Sequence, residues 1–109
     1  MKDTISILSL NVNGLHDEVK CIRLFWWLKN NRFDLIFLQD VRWSEEDGES
    51  WATQWGRLSC WCPQVAILVS GVGSKLERLD GGNDRLLFCQ FEAIHTLPLV
   101  VGSIYIPAD

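Results

Sequence analysis

Residues 5–15, ISILSLNVNGL, decide how the rest of the chain is interpreted. Apolar and small polar side chains alternate along residues 5–11, which predicts a strand. The run then breaks into Asn11, Val12, Asn13 and Gly14, a pattern typical of a turn at the end of a strand. Polar side chains placed there lie at the rim of a sheet, where α/β proteins bind ligands. The pattern therefore makes Asn11 and Asn13 candidate functional residues.

Two further predicted strands also end in side chains that can carry chemistry. Residues 33–39 form a nearly continuous apolar run that ends in Gln39 and is followed by Asp40. Such runs are typical of central strands covered on both faces. Residues 97–106 form another apolar run, with Tyr105 near its end. We expect these side chains at the rim of the same sheet.

The segment between the first two strands predicts an amphipathic helix over residues 17–31. Asp17 suits the positive N-terminal end of the helix, and Lys29, Asn30 and Asn31 suit its C-terminal end. A broad apolar stripe is expected to face the sheet. It consists of Val19, Cys21, Ile22, Leu24, Phe25, Trp26 and Leu28. Strand, helix and strand together predict a unit with a right-handed crossover.

The second half of the chain predicts short strands separated by turns. Residues 41–54 are acidic and polar, which favours a loop with a short helix near residues 50–55. Alternating or apolar runs predict strands at residues 58–62, 65–70 and 75–79, then a hairpin of residues 85–93 and 97–106 with its tip at residues 94–96. The fold class is α/β (α+β by layering), with one mixed β-sheet and one main helix.

Composition sets the outer limits on what this chain is. Its 109 residues allow a single domain, and its net charge of −4 counts mildly against tight nucleic-acid binding. Six Trp residues favour a packed chain over a disordered one. We expect no signal peptide and no membrane-spanning segment, because the longest apolar run is too short to cross a bilayer. Four irregularly spaced Cys residues favour free thiols in a reducing compartment, the nucleus or the cytoplasm.

Several of these motifs, taken in order, resemble a known enzyme family. The sequence has LNVNGL at residues 10–15, FLQD at 37–40, VAIL at 65–68 and IYIPA at 104–108, and QDVRW at 39–43. This set resembles the endonuclease/exonuclease/phosphatase family, and within it the endonuclease domains of LINE-type retrotransposons, which are associated with a reverse transcriptase. The resemblance implies one truncated domain over residues 1–109, equal to the N-terminal half of a four-layered α/β sandwich.

The same resemblance implies a set of site residues and a cofactor. Asn11 matches the strand-end Asn that contacts the scissile phosphate and the catalytic acid. Asp40 stands at the position of the metal-binding Glu, so the implied cofactor is Mg²⁺, with Mn²⁺ as an alternative. Tyr105 matches the Tyr that reaches the phosphate. The implied activity is metal-dependent phosphodiester hydrolysis that nicks DNA, and phosphomonoester or phospholipid hydrolysis is the alternative within the same family.

The sequence also departs from the family pattern. Asp40 replaces Glu and is one methylene shorter, and Asn13 stands where many relatives have Asp. Gln64 replaces a Gly, and Ala108 replaces an Asn. The later family motifs, an Asp-x-Asn pair and a closing Ser-Asp-His, have no counterpart in this sequence. Neither histidine, His16 or His95, aligns with the family's His. We therefore expect weak or no activity of this chain alone.

A catalytically silent module is the alternative to a nuclease. On that interpretation Asn11 and Asn13 are turn residues, Asp40 is a solvated charge at a strand end, and Tyr105 is a core aromatic side chain. Residues 65–69 and 99–104 are apolar on both faces, so a single sheet would leave one face open to water. A partner is expected to cover that face, either a second copy in a homodimer or another protein.

Other residue clusters fit structural roles better than functional ones. Core packing is favoured over base stacking for Trp43, Trp51, Trp55 and Trp61. An exposed acidic loop is favoured over a metal site for Glu45, Glu46, Asp47 and Glu49. An exposed helix face is favoured over a phosphate track for Lys20, Arg23, Lys29 and Arg32. Cys60 and Cys62 lack a second pair of ligands, which makes a zinc site a weak alternative.

Overall fold

A computed structural model of the chain describes residues 4–70, 73–93 and 97–107, which form two helices and seven strands. The elements are β1 (Ile7–Asn11), α1 (Glu18–Asn30), β2 (Leu35–Gln39), α2 (Glu45–Trp55), β3 (Ser59–Trp61), β4 (Val65–Val69), β5 (Gly73–Arg78), β6 (Leu86–Ala93) and β7 (Leu99–Ile104). The predicted mixed α and β fold class is confirmed. The predicted hairpin tip at residues 94–96 lies outside the described residues, as do Ala108 and the connection at residues 71–72.

Four strands form the first sheet, in the order β1-β2-β4-β3. β1 and β2 are parallel and are joined through α1, and their register places Asn11 beside Gln39. β4 runs antiparallel to both β2 and β3. The carboxyl ends of β1 and β2 therefore meet at one rim of this sheet, as the sequence predicts.

Three strands form a second sheet, in the order β5-β6-β7, and this corrects the prediction of one sheet with an open face. β6 alternates, and its inward side chains pack on the first sheet. These are Leu87, Cys89, Phe91 and Ala93. All five residues of β4 are buried as a result. The face that was expected to need a partner is covered by the chain itself, because inward-facing apolar side chains on both sheets leave water when the sheets pack.

The helices cover the other face of the first sheet. Asp17 caps α1, because its carboxylate accepts a hydrogen bond from the Lys20 N–H at 3.2 Å. Cys21, Phe25 and Leu28 of α1 are buried, so this part of the predicted apolar stripe is confirmed. Leu24 is partly buried against the same core, whereas the prediction is wrong for Val19, Ile22 and Trp26, which are exposed. The helix ends as expected, with Asn30 and Asn31 donating to the carbonyls of Trp26 and Trp27.

α2 is longer than the sequence predicted. Residues 45–49, expected in a loop, form its first turns. The Asp47 carboxylate accepts hydrogen bonds from the Ser44 N–H at 3.1 Å and from the Ser44 hydroxyl at 2.8 Å, which fixes the start of the helix. Gly56, with φ +72°, ends it in the left-handed conformation that glycine adopts without strain. The acidic run therefore suits a helix N-terminus.

The two sheets differ in width, and this creates an uncovered strip. β3, β4 and β2 contact strands of the second sheet, and β1 extends beyond them. Leu8 and Leu10 of β1 pack into the core on the helix side. Ile7, Ser9 and Asn11 alternate with them and are exposed. One face of β1 therefore forms the floor of an open cleft beside β7.

Candidate functional site

A cleft of about 430 Å³ lies between the overhanging strand β1 and strand β7 of the second sheet. It is lined by Ser9, Asn11, Phe37, Gln39, Gly102, Ser103, Ile104, Tyr105 and Ile106. Two of the predicted site residues, Asn11 and Tyr105, line this one cleft although 94 positions separate them along the chain (105 − 11). Asn11 reaches the cleft because β1 lies beside β2 in the first sheet. Tyr105, just after β7, reaches it because the second sheet packs on the first.

The cleft has a polar floor that connects the two sheets. Gln39 Nε2 donates to Ser103 Oγ at 3.2 Å, and Ser9 Oγ donates to Gln39 Oε1 at 3.3 Å. Ser103 is buried, so its hydroxyl sits in a site of reduced solvent access. Sequence reasoning placed Gln39 at a strand end but assigned neither Gln39 nor Ser103 a role. The signal available for Ser103 was its hydroxyl side chain inside the apolar run of residues 97–106.

Asn11 combines a turn with the lining of the cleft. Its side-chain oxygen accepts the Asn13 N–H at 3.0 Å, an Asx turn that holds Asn13 at φ +53°. The turn role that the sequence offered as an alternative is therefore real. The turn uses the side-chain oxygen of Asn11, and the residue stays exposed at the cleft.

Asp40 is buried and paired beside the cleft. Arg42 Nε donates to Asp40 Oδ1 at 3.1 Å, and Arg42 Nη2 donates to Asp40 Oδ2 at 3.2 Å. Arg42 Nη2 also donates to the Asn13 side-chain oxygen at 3.0 Å. The alternative of a solvated strand-end charge at Asp40 is wrong, since only 7% of the residue is exposed.

The charge of Asp40 acts on Arg42 in return. The hydrogen bond from Arg42 to Asp40 raises the pKa of the guanidinium, and the negative charge of Asp40 adds to this effect. Desolvation opposes these effects only in part. Arg42 therefore stays charged.

Backbone hydrogen bonds continue the ladder past the ends of β1 and β2. The N–H groups of Val12, Gly14 and Leu15 donate to the carbonyls of Gln39, Asp40 and Val41 at 3.0, 2.6 and 3.3 Å. Within this rim Asn13, Asp40 and Arg42 all have φ between +53° and +59°. Left-handed non-glycine residues persist where surrounding contacts fix them, and they concentrate at functional sites. The rim is therefore an ordered structure and not a loose loop.

In this arrangement the implied Mg²⁺ would have to displace Arg42 from Asp40. Both oxygens of Asp40, the carboxylate at the expected metal position, already accept hydrogen bonds from Arg42. Within the part of the chain that the structure describes, no three His, Cys, Asp or Glu residues form a group that could hold a metal ion. Mg²⁺ usually takes one or two carboxylates and completes its shell with water and phosphate. A divalent cation and Arg42 are therefore competing ligands of Asp40.

The remaining candidates lie elsewhere. His16 approaches Asp47 at 3.4 Å and packs near the Trp51 ring at 5.2 Å between centroids, so it belongs to the start of α2. His95 lies outside the described residues. Core packing is confirmed for Trp51, Trp55 and Trp61, which are buried. Lys20 lies at the rim, because its Nζ donates to the Asn13 carbonyl at 3.2 Å.

Three of the cysteines, Cys60, Cys62 and Cys89, lie together in the core between the sheets, whereas Cys21 lies in the core beneath the helices. All four are free thiols, as predicted. The Cys89 thiol hydrogen-bonds to Cys60, which lowers the pKa of Cys60 and raises that of Cys89. Burial opposes the shift at Cys60, and the positive charge of Arg78 supports it. Burial alone raises the pKa of Cys21 to about 11.

Comparison with known proteins adds no relative. No protein-family model matches the sequence, and no curated protein matches it. None of the helices in the described residues is long and apolar enough to span a membrane.

Proposed function

We propose that the cleft and its rim form a phosphodiester-contacting site of the endonuclease/exonuclease/phosphatase type, acting on DNA. One observation carries this proposal. Asn11 and Tyr105 line one cleft, and Asp40, which is paired with Arg42, directly follows Gln39, which also lines that cleft. These are the residues that the motif resemblance selects, and packing of two separate sheets was required to bring them together.

Each of these side chains has a chemical part in the proposal. The Asn11 amide and the Tyr105 hydroxyl are hydrogen-bond donors suited to phosphate oxygens. Asp40 is the proposed metal ligand, and Mg²⁺ or Mn²⁺ supplies charge neutralisation at the phosphate when bound. A cation reaches Asp40 only if Arg42 turns away. Within the described residues, the cleft lining includes no histidine and no carboxylate to activate water, so we expect slow hydrolysis by this chain alone.

The proposal is tested by nicking of supercoiled plasmid DNA with Mg²⁺ or Mn²⁺. We expect slow nicking that Asp40→Ala abolishes and Tyr105→Phe reduces. Glu49→Ala is the matched control, because Glu49 is an exposed carboxylate on α2 and should leave the rate unchanged. The same variants with para-nitrophenyl phosphate test phosphomonoester hydrolysis. Equal nicking by the wild type and Asp40→Ala would mean that a contaminating nuclease is responsible and would contradict the proposal.

A catalytically silent binding module is the second candidate. The observation that favours it is the pairing of Arg42 with both oxygens of Asp40, which uses the proposed metal ligand for a protein contact. Absence of nicking at every metal concentration, together with an intact fold, would favour this candidate.

For the catalytically silent candidate, we propose that a second copy of the chain covers the side of the molecule formed by β1 and β7, which would close the cleft between these strands to DNA. These strands lie at the sheet edges on the cleft side, and neither contains a charged residue. The opposite edges are protected, because β5 carries Lys75, Glu77 and Arg78 and β3 has three residues. Uncharged edges can pair with their own copies without like-charge repulsion. Exposed apolar side chains, including Ile7 (57%) and Val100 (69%), lie on this side.

Light scattering after size exclusion tests the dimer. We expect a dimeric mass for the wild type and a monomeric mass for Ile7→Lys and Val100→Lys. Glu77→Lys, on the protected edge, is the control and should leave the dimer intact. A monomeric wild type would contradict the second copy as partner.

The free thiols agree with the proposed reducing compartment, the nucleus or the cytoplasm.

A further inference from the structure

We propose that Arg42 is a phosphate-binding residue, and that the rim binds the phosphodiester backbone of DNA without a metal ion. The rim cluster consists of Asn13, Lys20, Asp40 and Arg42. The inference rests on the proposed function for the class of ligand, a phosphodiester. It differs from that function in assigning to Arg42 the charge neutralisation that the family resemblance assigns to a cation.

The geometry of Arg42 carries the inference. Its Nε and Nη2 atoms donate three hydrogen bonds, two to Asp40 and one to Asn13, at 3.0–3.2 Å. These bonds fix the plane of the guanidinium and leave the two N–H groups of Nη1 for an outside acceptor. The Arg42 side chain is 56% exposed, so a ligand can reach it. A guanidinium that is held in one plane suits the oxygens of a phosphate.

Glycine keeps the approach to Arg42 open. A Cβ atom added at Gly14 would lie 3.3 Å from Arg42 Cδ and 3.4 Å from Nη1. Gly14 is therefore in close contact with the side of the guanidinium that carries the remaining donors. Any larger residue there would crowd the position where the proposed phosphate oxygen meets Nη1.

Two cationic side chains gather at the rim although the whole chain is acidic. Lys20 Nζ lies at the same turn as Arg42, bound to the Asn13 carbonyl at 3.2 Å. The opposing carboxylates here are Asp40, which pairs with Arg42, and Asp17, which accepts the Lys20 backbone N–H as the helix cap. The cleft with Asn11 and Tyr105 lies beside these two cations, and its donors extend the contact along a backbone.

The test is fluorescence anisotropy of a short fluorescein-labelled single-stranded DNA in low-salt buffer containing EDTA. EDTA removes divalent cations, so neither a metal bridge nor cleavage contributes. We expect the wild type to bind, and Arg42→Gln to weaken binding by about tenfold, as expected for the loss of charge-assisted hydrogen bonds. Arg32→Gln is the matched control. Arg32 precedes β2 and Arg42 follows it, so the two lie at opposite ends of that strand.

Three results would overturn the inference. They are no binding by wild type in EDTA, equal binding by wild type and Arg42→Gln, and equal losses in Arg42→Gln and Arg32→Gln. Arg42→Lys keeps the charge without the planar group and should bind between wild type and Arg42→Gln, which keeps the test valid if Arg42→Gln folds poorly. The outcome is separate from plasmid nicking. A protein that binds DNA in EDTA but never nicks supports this inference and contradicts the nuclease.

Discussion

At the residue scale, the hydrogen bond between Cys60 and Cys89 leads to a prediction about the reactivity of Cys60. The hydrogen bond from Cys89 and the charge of Arg78 lower the pKa of Cys60, whereas burial raises the pKa of Cys21 to about 11. A lowered pKa leaves more thiolate at neutral pH, and the thiolate is the nucleophile. We therefore expect iodoacetamide to alkylate Cys60 before Cys21, measured by mass spectrometry of peptides. Arg78→Gln should slow alkylation of Cys60. Equal rates at the two thiols would contradict the assigned hydrogen bond.

Sequence motifs identified some residues of the site and missed others for a physical reason. Asn11 and Tyr105 are strand-end residues in local motifs, so their place at a rim follows from the local pattern. The contact between Gln39 and Ser103 depends on how two sheets pack, with 64 positions between the partners. Arg42 pairs with Asp40 at a point where both residues adopt left-handed backbone conformations. Neither the sheet packing nor these conformations follow from hydrophobic periodicity.

At the element scale, the start of α2 shows how a local cue can be misinterpreted. Gly48 lowers the helix propensity of residues 45–49, although Glu45, Glu46 and Glu49 are good helix formers. The helix forms because Asp47 binds Ser44 at its start and because Trp51 and Trp55 are buried. Glycine at position 48 lets the helix pack closely on Trp43, since an added Cβ would lie 2.9 Å from the Trp43 ring. Tertiary packing therefore overrides the low helix propensity of Gly48.

The role of Asp47 gives a prediction about stability. Asp47→Ala removes the acceptor of two hydrogen bonds from Ser44, and we expect it to lower the free energy of unfolding by about 1 kcal/mol, as for other helix caps. The measurement is urea denaturation followed by circular dichroism. Glu49→Ala on the same helix is the control and should change stability less. Equal effects of the two variants would mean that helix propensity, and not the cap, determines the stability of α2.

At the scale of the whole molecule, the strands were predicted but their division into two sheets was not. β2, β4 and the pair β6 and β7 follow from apolar runs and turns. Which sheet a hairpin joins depends on long-range packing, because alternation along β6 shows that one face is buried without showing what buries it. The sequence therefore predicted an open face where the protein has an inter-sheet core.

Leu87 distinguishes the two packed sheets of the structure from the single open-faced sheet that the sequence predicted. It is fully buried between the sheets, whereas Val100 on the adjacent strand is 69% exposed. We expect Leu87→Ala to lower the free energy of unfolding by about 2–5 kcal/mol, because it removes methylene groups from a packed core. Val19→Ala, at an exposed position of α1 away from β1 and β7, should change it by less than about 0.5 kcal/mol, as is usual for exposed positions. Urea denaturation of both variants measures the difference. Similar small losses would mean that Leu87 is also exposed, which is the result expected if the strands formed one sheet with an open face.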